Sequence, residues 1–309
     1  ILDGRRTGLK VFGSAGSGKT WFTRIIEKET LAKNPRILFI YTKVPRLEPT
    51  FQVVYRLAIQ DLLSNYFDKI ARYVKETQKG ETDLNAWKNA IGDEDLATAF
   101  QQYYSGTNKA LSKKWLIGDK LSASELDSLK VTRSLDSDYD RFEMLIQIFE
   151  KLSSVFSTSM FVIDELENAS VKLAGQLSDS LRDMLDRFAE KFALVASFTA
   201  QKDEEWYDLG YTEQLNRRFD YAVKLEALDK VADFLRIHQQ AYRKPDVKIN
   251  DQLYPFTEEG AVSLLEIMQP GNRYPGYYLP NCRDLAKLCA GKPIDADFVK
   301  KNPNWLSFK

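Results

Sequence analysis

Cysteine and histidine are almost missing from this chain of 309 residues, which holds two of the first and one of the second. With no C-x-x-C pair, that scarcity excludes a disulfide framework and a zinc site built from these residues. Cys282 and Cys289 lie seven positions apart in a helical pattern, about 10 Å along the axis, which is too far for a disulfide. They read as small buried side chains in a reducing cytoplasm. His238 shares an apolar stripe with Val231, Phe234, Leu235 and Tyr242, so it reads as a packed or boundary histidine rather than a catalytic one. Long hydrophobic runs are missing too. None approaches the roughly 18 residues that cross a bilayer and no signal peptide is visible, so the expectation is a cytoplasmic protein with no membrane partner. Net charge is zero, with 44 Lys+Arg against 44 Asp+Glu. No global basic field advertises nucleic acid, although a local patch stays open. Internal repeats, low-complexity tracts and flexible linkers are lacking. What remains is 44% hydrophobic and 28% charged, ordinary for a globular protein and long enough for about two domains. The chain begins at Ile1 without a methionine, only a few residues ahead of the first strand pattern, which reads as an excised piece of something longer.

The stretch Val11-Phe12-Gly13-Ser14-Ala15-Gly16-Ser17-Gly18-Lys19-Thr20 fits G-x-x-x-x-G-K-[ST] and reads as a phosphate-binding loop for ATP or ADP. Triphosphate oxygens need many donors in a tight space, so Gly13, Gly16 and Gly18 let backbone N–H groups turn inward with no Cβ in the way. Lys19 would reach the β- and γ-phosphates, Thr20 would offer its hydroxyl to Mg²⁺, and the following helix would point its positive N-terminus at the anion. The context agrees. Leu9-Lys10-Val11-Phe12 reads as a strand, and Phe22, Ile25 and Ile26 recur at helical spacing before Pro35.

Arg36 to Tyr41 is a short apolar run closed by Pro45 and Pro49, a buried parallel strand. Phe51, Val54, Tyr55, Ala58 and Leu62 then mark a helix from about Thr50 to Phe67. From Lys69 to about Asp140 the chain is polar, with scattered aromatics that need burial, and reads as a helical insertion. There Lys109, Lys113, Lys114 and Lys120, interleaved with Tyr104 and Trp115, form either a solvated helix face or a nucleic-acid contact. Arg141 to Phe156 is amphipathic and leads into Ser159-Met160-Phe161-Val162-Ile163-Asp164-Glu165, a buried strand delivering two carboxylates at its C-terminal edge. Ligands bind at that edge in open α/β sheets. Asp164 would hold the Mg²⁺ shell as Walker-B aspartates do, and Glu165 would orient or deprotonate water; Glu167 is a second candidate base. Leu177 to Phe188 reads as a helix. Phe192 to Thr199 is a third buried strand, whose tip hydroxyl, Thr199 ahead of Ser197, would meet the γ-phosphate or the water. Arg217 and Arg218 precede Tyr221-Ala222-Val223-Lys224-Leu225, expected as the last core strand, and such guanidinium groups suit either phosphate or a surface ion pair. Helices over Lys230–Arg243, Thr257–Met268 and Asn281–Ala290 complete a small C-terminal domain. The expected division is a nucleotide-binding core over 1–227, with an insertion at about 68–140, and a helical lid over 228–309.

On the phosphate loop, the Asp164-Glu165 pair, the strand ending at Thr199, Asn216-Arg217-Arg218-Phe219-Asp220 and Pro280-Asn281-Cys282-Arg283-Asp284-Leu285, the chain resembles the AAA+ ATPases. The resemblance is to the branch of origin-recognition initiator ATPases and the related ATPases of prokaryotic phage-defence operons. Trp115 through Leu126 also looks like the insertion of the defence-type relatives. The resemblance implies a three-layer α/β P-loop core with a parallel sheet, Mg²⁺-dependent ATP hydrolysis, homo-oligomers, and partners among DNA or proteins of the same operon or pathway. It places Thr199 or Ser197 in the sensor-1 role, Arg218 as an arginine finger acting on a neighbour's ATP, and Arg283 in the sensor-2 role. The lid departs from the usual Gly-Asn-Pro-Arg, because Gly271-Asn272-Arg273 stands apart from Arg283, so Arg273 competes for that role. The DNA-binding winged helix that follows the lid in initiators has no counterpart in these residues, so DNA binding is implied by kinship alone.

Three functions compete. An oligomerising ATPase acting on DNA leads. A signalling NTPase of the STAND type, with ATP as a conformational latch and no nucleic acid, is the alternative. A metabolic P-loop kinase fits less well, because paired Asp164 and Glu165 suit activation of water.

Overall fold

The computed structural model describes residues 5–242 and 251–302. Within that range the order is β1 (Thr7–Gly13), α1 (Lys19–Lys33), β2 (Ile37–Lys43), α2 (Phe51–Asn65), α3 (Phe67–Thr77), α4 (Leu84–Ile91), α5 (Glu94–Ser105), α6 (Lys109–Leu116), α7 (Ala123–Leu129) and α8 (Asp138–Lys151). There follow β3 (Thr158–Asp164), α9 (Val171–Arg187), β4 (Phe192–Thr199), α10 (Glu205–Asp208), α11 (Glu213–Asn216), β5 (Tyr221–Leu225), α12 (Val231–Tyr242), α13 (Glu258–Ile267), α14 (Pro275–Leu288) and α15 (Ala296–Lys301). Arg243, where the sequence ends one helix, lies outside the described residues. No described helix is long and apolar enough to cross a membrane.

The five strands form one parallel sheet in the order β2-β3-β4-β1-β5. Runs such as Ile37-Leu38-Phe39-Ile40 and Phe192 to Ala196 are buried on both faces, as parallel strands covered by helices must be. The registers Ile37↔Thr158 through Lys43↔Asp164, and Ser159↔Phe192 through Ile163↔Ala196, bring the C-terminal ends of β2, β3 and β4 to one edge. β5 forms where the sequence places it but not in the core. It is the outer strand of the sheet, with Tyr221 63% exposed, because nothing pairs on its far side in that order.

Helix ends also move. The helix expected from Thr50 to Phe67 breaks at Tyr66 (φ −126°, ψ −13°), and α3 continues beyond. Thr50 caps α2 by accepting the Val53 N–H, while Ser137 and Asp140 form a capping box that starts α8 earlier than its apolar periodicity shows. α14 starts six residues before the expected Asn281, with Pro275 in its first turn, where a missing N–H is not needed.

Two compact units are present: the residues up to Phe12 with Thr20–Val223, and Gly13–Lys19 with the described residues from Lys224 onward. In the first unit the polar stretch after β2 becomes five helices. Their core is aromatic: the Phe67 ring stacks on Trp87 at 6.0 Å and meets Phe100 edge-on at 5.7 Å. Trp115 is buried and donates its indole N–H to the Arg133 carbonyl at 2.8 Å, and Lys114 pairs with Glu125. A nucleic-acid contact through Trp115 is therefore ruled out; its ring is core. In the second unit α12, α13 and α14 pack around Val231, Leu235, Leu264, Tyr278 and Leu285. Cys282 and Cys289 are buried free thiols there.

Candidate functional site

In the first unit the side chains gather on Asp164 at the C-terminal end of β3. Thr20, in the first turn of α1, donates to Asp164 Oδ2 at 2.6 Å, and the Tyr41 hydroxyl donates to the same oxygen at 2.8 Å. Ser197 donates to Oδ1 at 2.6 Å and the Glu165 N–H at 2.9 Å. Asp164 is 1% exposed, and a carboxylate this deeply buried needs donors of this kind around it. Burial and the neighbouring Asp164 charge push the Tyr41 phenol well above its ordinary range, so it is a neutral donor.

Glu165 sits in the left-handed region at φ 58°, ψ 39°. The Asn168 side-chain amide donates to its Oε2 at 3.0 Å and to the Val44 carbonyl at 2.9 Å. Thr199, two residues beyond Ser197 on β4, gives its hydroxyl to Glu167 rather than to Asp164. Sequence reasoning ranked Thr199 above Ser197; the register of β3 and β4 sets Ser197 beside Asp164.

The segment Gly13–Lys19 belongs to the second unit. Lys19 Nζ donates to the Gly13 and Ser14 carbonyls at 3.1 Å each, and the Ser17 N–H to the Ser14 carbonyl at 3.1 Å. The first turn of α14 lies against this loop. The Gly276 N–H donates to the Gly16 carbonyl at 2.8 Å, and the Ser14 and Tyr274 hydroxyls share a 2.8 Å hydrogen bond. A Cβ on Gly13 would come within 2.7 Å of both Ser17 Oγ and the Leu225 carbonyl. Gly16 (φ +76°) has the Tyr277 ring where a Cβ would stand. The backbone is therefore as tightly drawn as a phosphate cradle requires.

The remaining candidates have partners of their own. Arg218 makes a two-pronged pair with Asp186, Nε to Oδ1 at 2.8 Å and Nη2 to Oδ2 at 3.0 Å, and Arg217 pairs with Glu213. Arg273 donates to the Met268 and Glu266 carbonyls at 3.3 Å, closing the end of α13. Arg283 is 69% exposed, with Asp284 as its ionic neighbour at 3.5 Å.

The donor set fits Mg²⁺ held together with a nucleotide. That ion keeps several waters and uses one or two carboxylates plus substrate phosphates, and among the described residues no cluster of three or more His, Cys, Asp or Glu offers a cage by protein alone. Tyr41, Asn168 and the tie between Thr199 and Glu167 were missed from sequence. The available signals were a hydroxyl-bearing aromatic at the end of a strand that faces this edge, and an amide three residues after Glu165.

No protein-family model matches the sequence, and no curated protein matches it. Among solved structures, the ORC2 protein of Aeropyrum pernix in ADPNP–ADP complexes aligns with a TM-score of 0.51 at 11% identity, over 97% of this chain and 63% of that one. Cdc6p of Pyrobaculum aerophilum aligns with a TM-score of 0.50 at 13% identity, over 93% and 56%. This chain thus spans less than two thirds of either. What the likeness shows is the fold alone, an α/β core with a five-stranded parallel sheet.

Proposed function

We propose that this chain is a Mg²⁺-dependent ATP-binding and ATP-hydrolysing AAA+ module that oligomerises and is coupled to DNA transactions, in replication initiation or phage defence. The observation that carries the reading is the 2.6 Å bond between Thr20, directly after the loop lysine, and Asp164, 144 residues away. A hydroxyl and a carboxylate so joined at the edge where parallel strands end are the pair that holds Mg²⁺ in P-loop NTPases. The ADPNP–ADP complexes of the Aeropyrum pernix protein support adenine nucleotides as the ligand.

In this reading residues 1–227 are the nucleotide-binding core, with the helices from about 68 to 140 as an insertion, and 228–309 are a lid. Gly13 to Thr20 hold the phosphates through backbone N–H groups, and Lys19 neutralises the β- and γ-phosphates. Thr20 and Asp164 hold the metal. Glu165, with Asn168 on one oxygen, orients the attacking water and takes its proton; Thr199, tied to Glu167, supplies the sensor hydroxyl at the strand tip. When bound, Mg²⁺ and ATP supply a polarised phosphoanhydride. Arg218 serves a neighbouring subunit's nucleotide. Arg283 takes the sensor-2 role in preference to Arg273, whose guanidinium already closes α13.

Calorimetry with ATP, and hydrolysis with and without DNA at a fixed salt concentration, test this reading, since phosphate contacts are strongly salt-dependent. The wild type should bind and hydrolyse ATP, faster with DNA, and Lys19→Ala should lose tight binding. Retained micromolar affinity in Lys19→Ala would sink the phosphate-loop assignment. A rate indifferent to DNA would favour the signalling switch.

A further inference from the structure

A carboxylate offers about four lone-pair sites, and the four donors on Asp164 use all of them: Thr20 and Tyr41 on Oδ2, Ser197 and the Glu165 N–H on Oδ1. If Asp164 is to hold the water shell of a magnesium ion, as the function proposed above requires, one donor has to leave. Ser197 is fully buried on β4, and the Glu165 donor is backbone; neither has anywhere to go. Thr20 can keep its O–H bond to Asp164 while turning its own lone pairs to the metal.

Tyr41 differs from these three. Its backbone is fixed in β2, where its N–H donates to Asp61 at 3.0 Å and its pairing partner is Val162. Its half-buried side chain, however, reaches Asp164 from the rim, and the bond is the longest of the three hydroxyl bonds at 2.8 Å. Above the ring lies Arg24 of α1, its guanidinium carbon 4.0 Å from the ring centre and itself bonded to Glu27. That stack holds the ring in place.

We propose that Tyr41 is a place-holding donor, a positioning residue that satisfies Asp164 in the metal-free protein and releases it when magnesium and nucleotide load. Tyr41 keeps a buried carboxylate paired while the metal site waits, and its bond is given up on loading. Removing the hydroxyl therefore weakens the metal-free protein and favours the loaded one. Removing a donor that supported Asp164 equally in both states would leave the preference for the loaded state unchanged.

The test is the ratio of fluorescent-ADP affinity in Mg²⁺ to that in EDTA, measured beside the melting temperature of the ligand-free protein. Tyr41→Phe should raise the ratio about three- to tenfold, the share of a charge-assisted hydrogen bond no longer surrendered on loading, and lower the ligand-free melting temperature. Arg24→Ala loosens the ring without touching Asp164 and should move the ratio the same way by less. An unchanged or lowered ratio in Tyr41→Phe overturns the proposal. Should Tyr41→Phe not fold, Arg24→Ala decides by the same criterion. A wild-type ratio of one overturns the metal reading itself, and the exchange with it.

Discussion

Glu165 occupies a backbone conformation that side chains with a Cβ rarely adopt, φ 58° and ψ 39°, at a cost of order 1–3 kcal/mol. Two local bonds hold it there: its N–H on Asp164 Oδ1 and its Oε2 under the Asn168 amide. The left-handed turn carries the chain out of β3 at once, so that the carboxylates of Asp164 and Glu165 meet different partners although they are neighbours. Glu165→Gln keeps the shape and the backbone bond but removes the proton acceptor. Nucleotide affinity should stay within a few-fold, while single-turnover hydrolysis slows by about 10² or more. Equal damage to both would mean that Glu165 belongs to the metal shell.

Between elements, the least expected tie is made by Lys10. It lies in β1, 3% exposed, and its ammonium bonds Asp203 Oδ2 at 2.7 Å, beyond the end of β4, and Asn216 Oδ1 at 2.5 Å, at the end of α11. The Trp206 ring sits 5.7 Å away. A buried ammonium needs such partners, and here two acceptors and a ring supply them. One strand thereby anchors both the loop after Thr199 and the segment that presents Arg218. Lys10→Met should lower stability by about 1–3 kcal/mol through the acceptors left without a donor, seen as a lower urea midpoint with the slope of the transition unchanged. A midpoint equal to that of the wild type would make the tie a surface pair of no weight. In the sequence Lys10 is only a polar letter inside the strand Leu9–Phe12, because its partners stand 193 and 206 residues away.

For the molecule as a whole, the open question is whether it acts alone. Arg218 and Asp186 bind each other at the surface, where such a pair contributes little and gives way to a stronger anion. If Arg218 serves a neighbour, hydrolysis per subunit should rise with protein concentration, and Arg218→Ala should abolish that rise while leaving ATP affinity within a few-fold, since the charge acts mainly in the transition state. Mixing sharpens the test: Arg218→Ala, with its own loop intact, should be rescued by Lys19→Ala, which still presents the arginine. A mixture no more active than the two variants apart would leave the arginine acting within its own subunit, or Arg217 in its place.

Legible in the sequence were the features written in near neighbours along the chain. These are the glycine-rich loop between its strand and helix, the apolar runs of β2, β3 and β4, the Asp164-Glu165 pair at a strand end, and the aromatic content that made the segment after β2 a set of packed helices. Periodicity and local capping act over a few residues, so they survive in one dimension. Tertiary structure alone decided what surrounds Asp164. Tyr41 lies 123 residues before it and Ser197 33 residues after, and only the side-by-side register of β2, β3 and β4 makes them neighbours. Strand order, too, set β5 at the rim rather than in the core. Ser197 and Thr199, two residues apart, share one face of β4, so which hydroxyl meets the carboxylate depends on where one strand stops relative to the next.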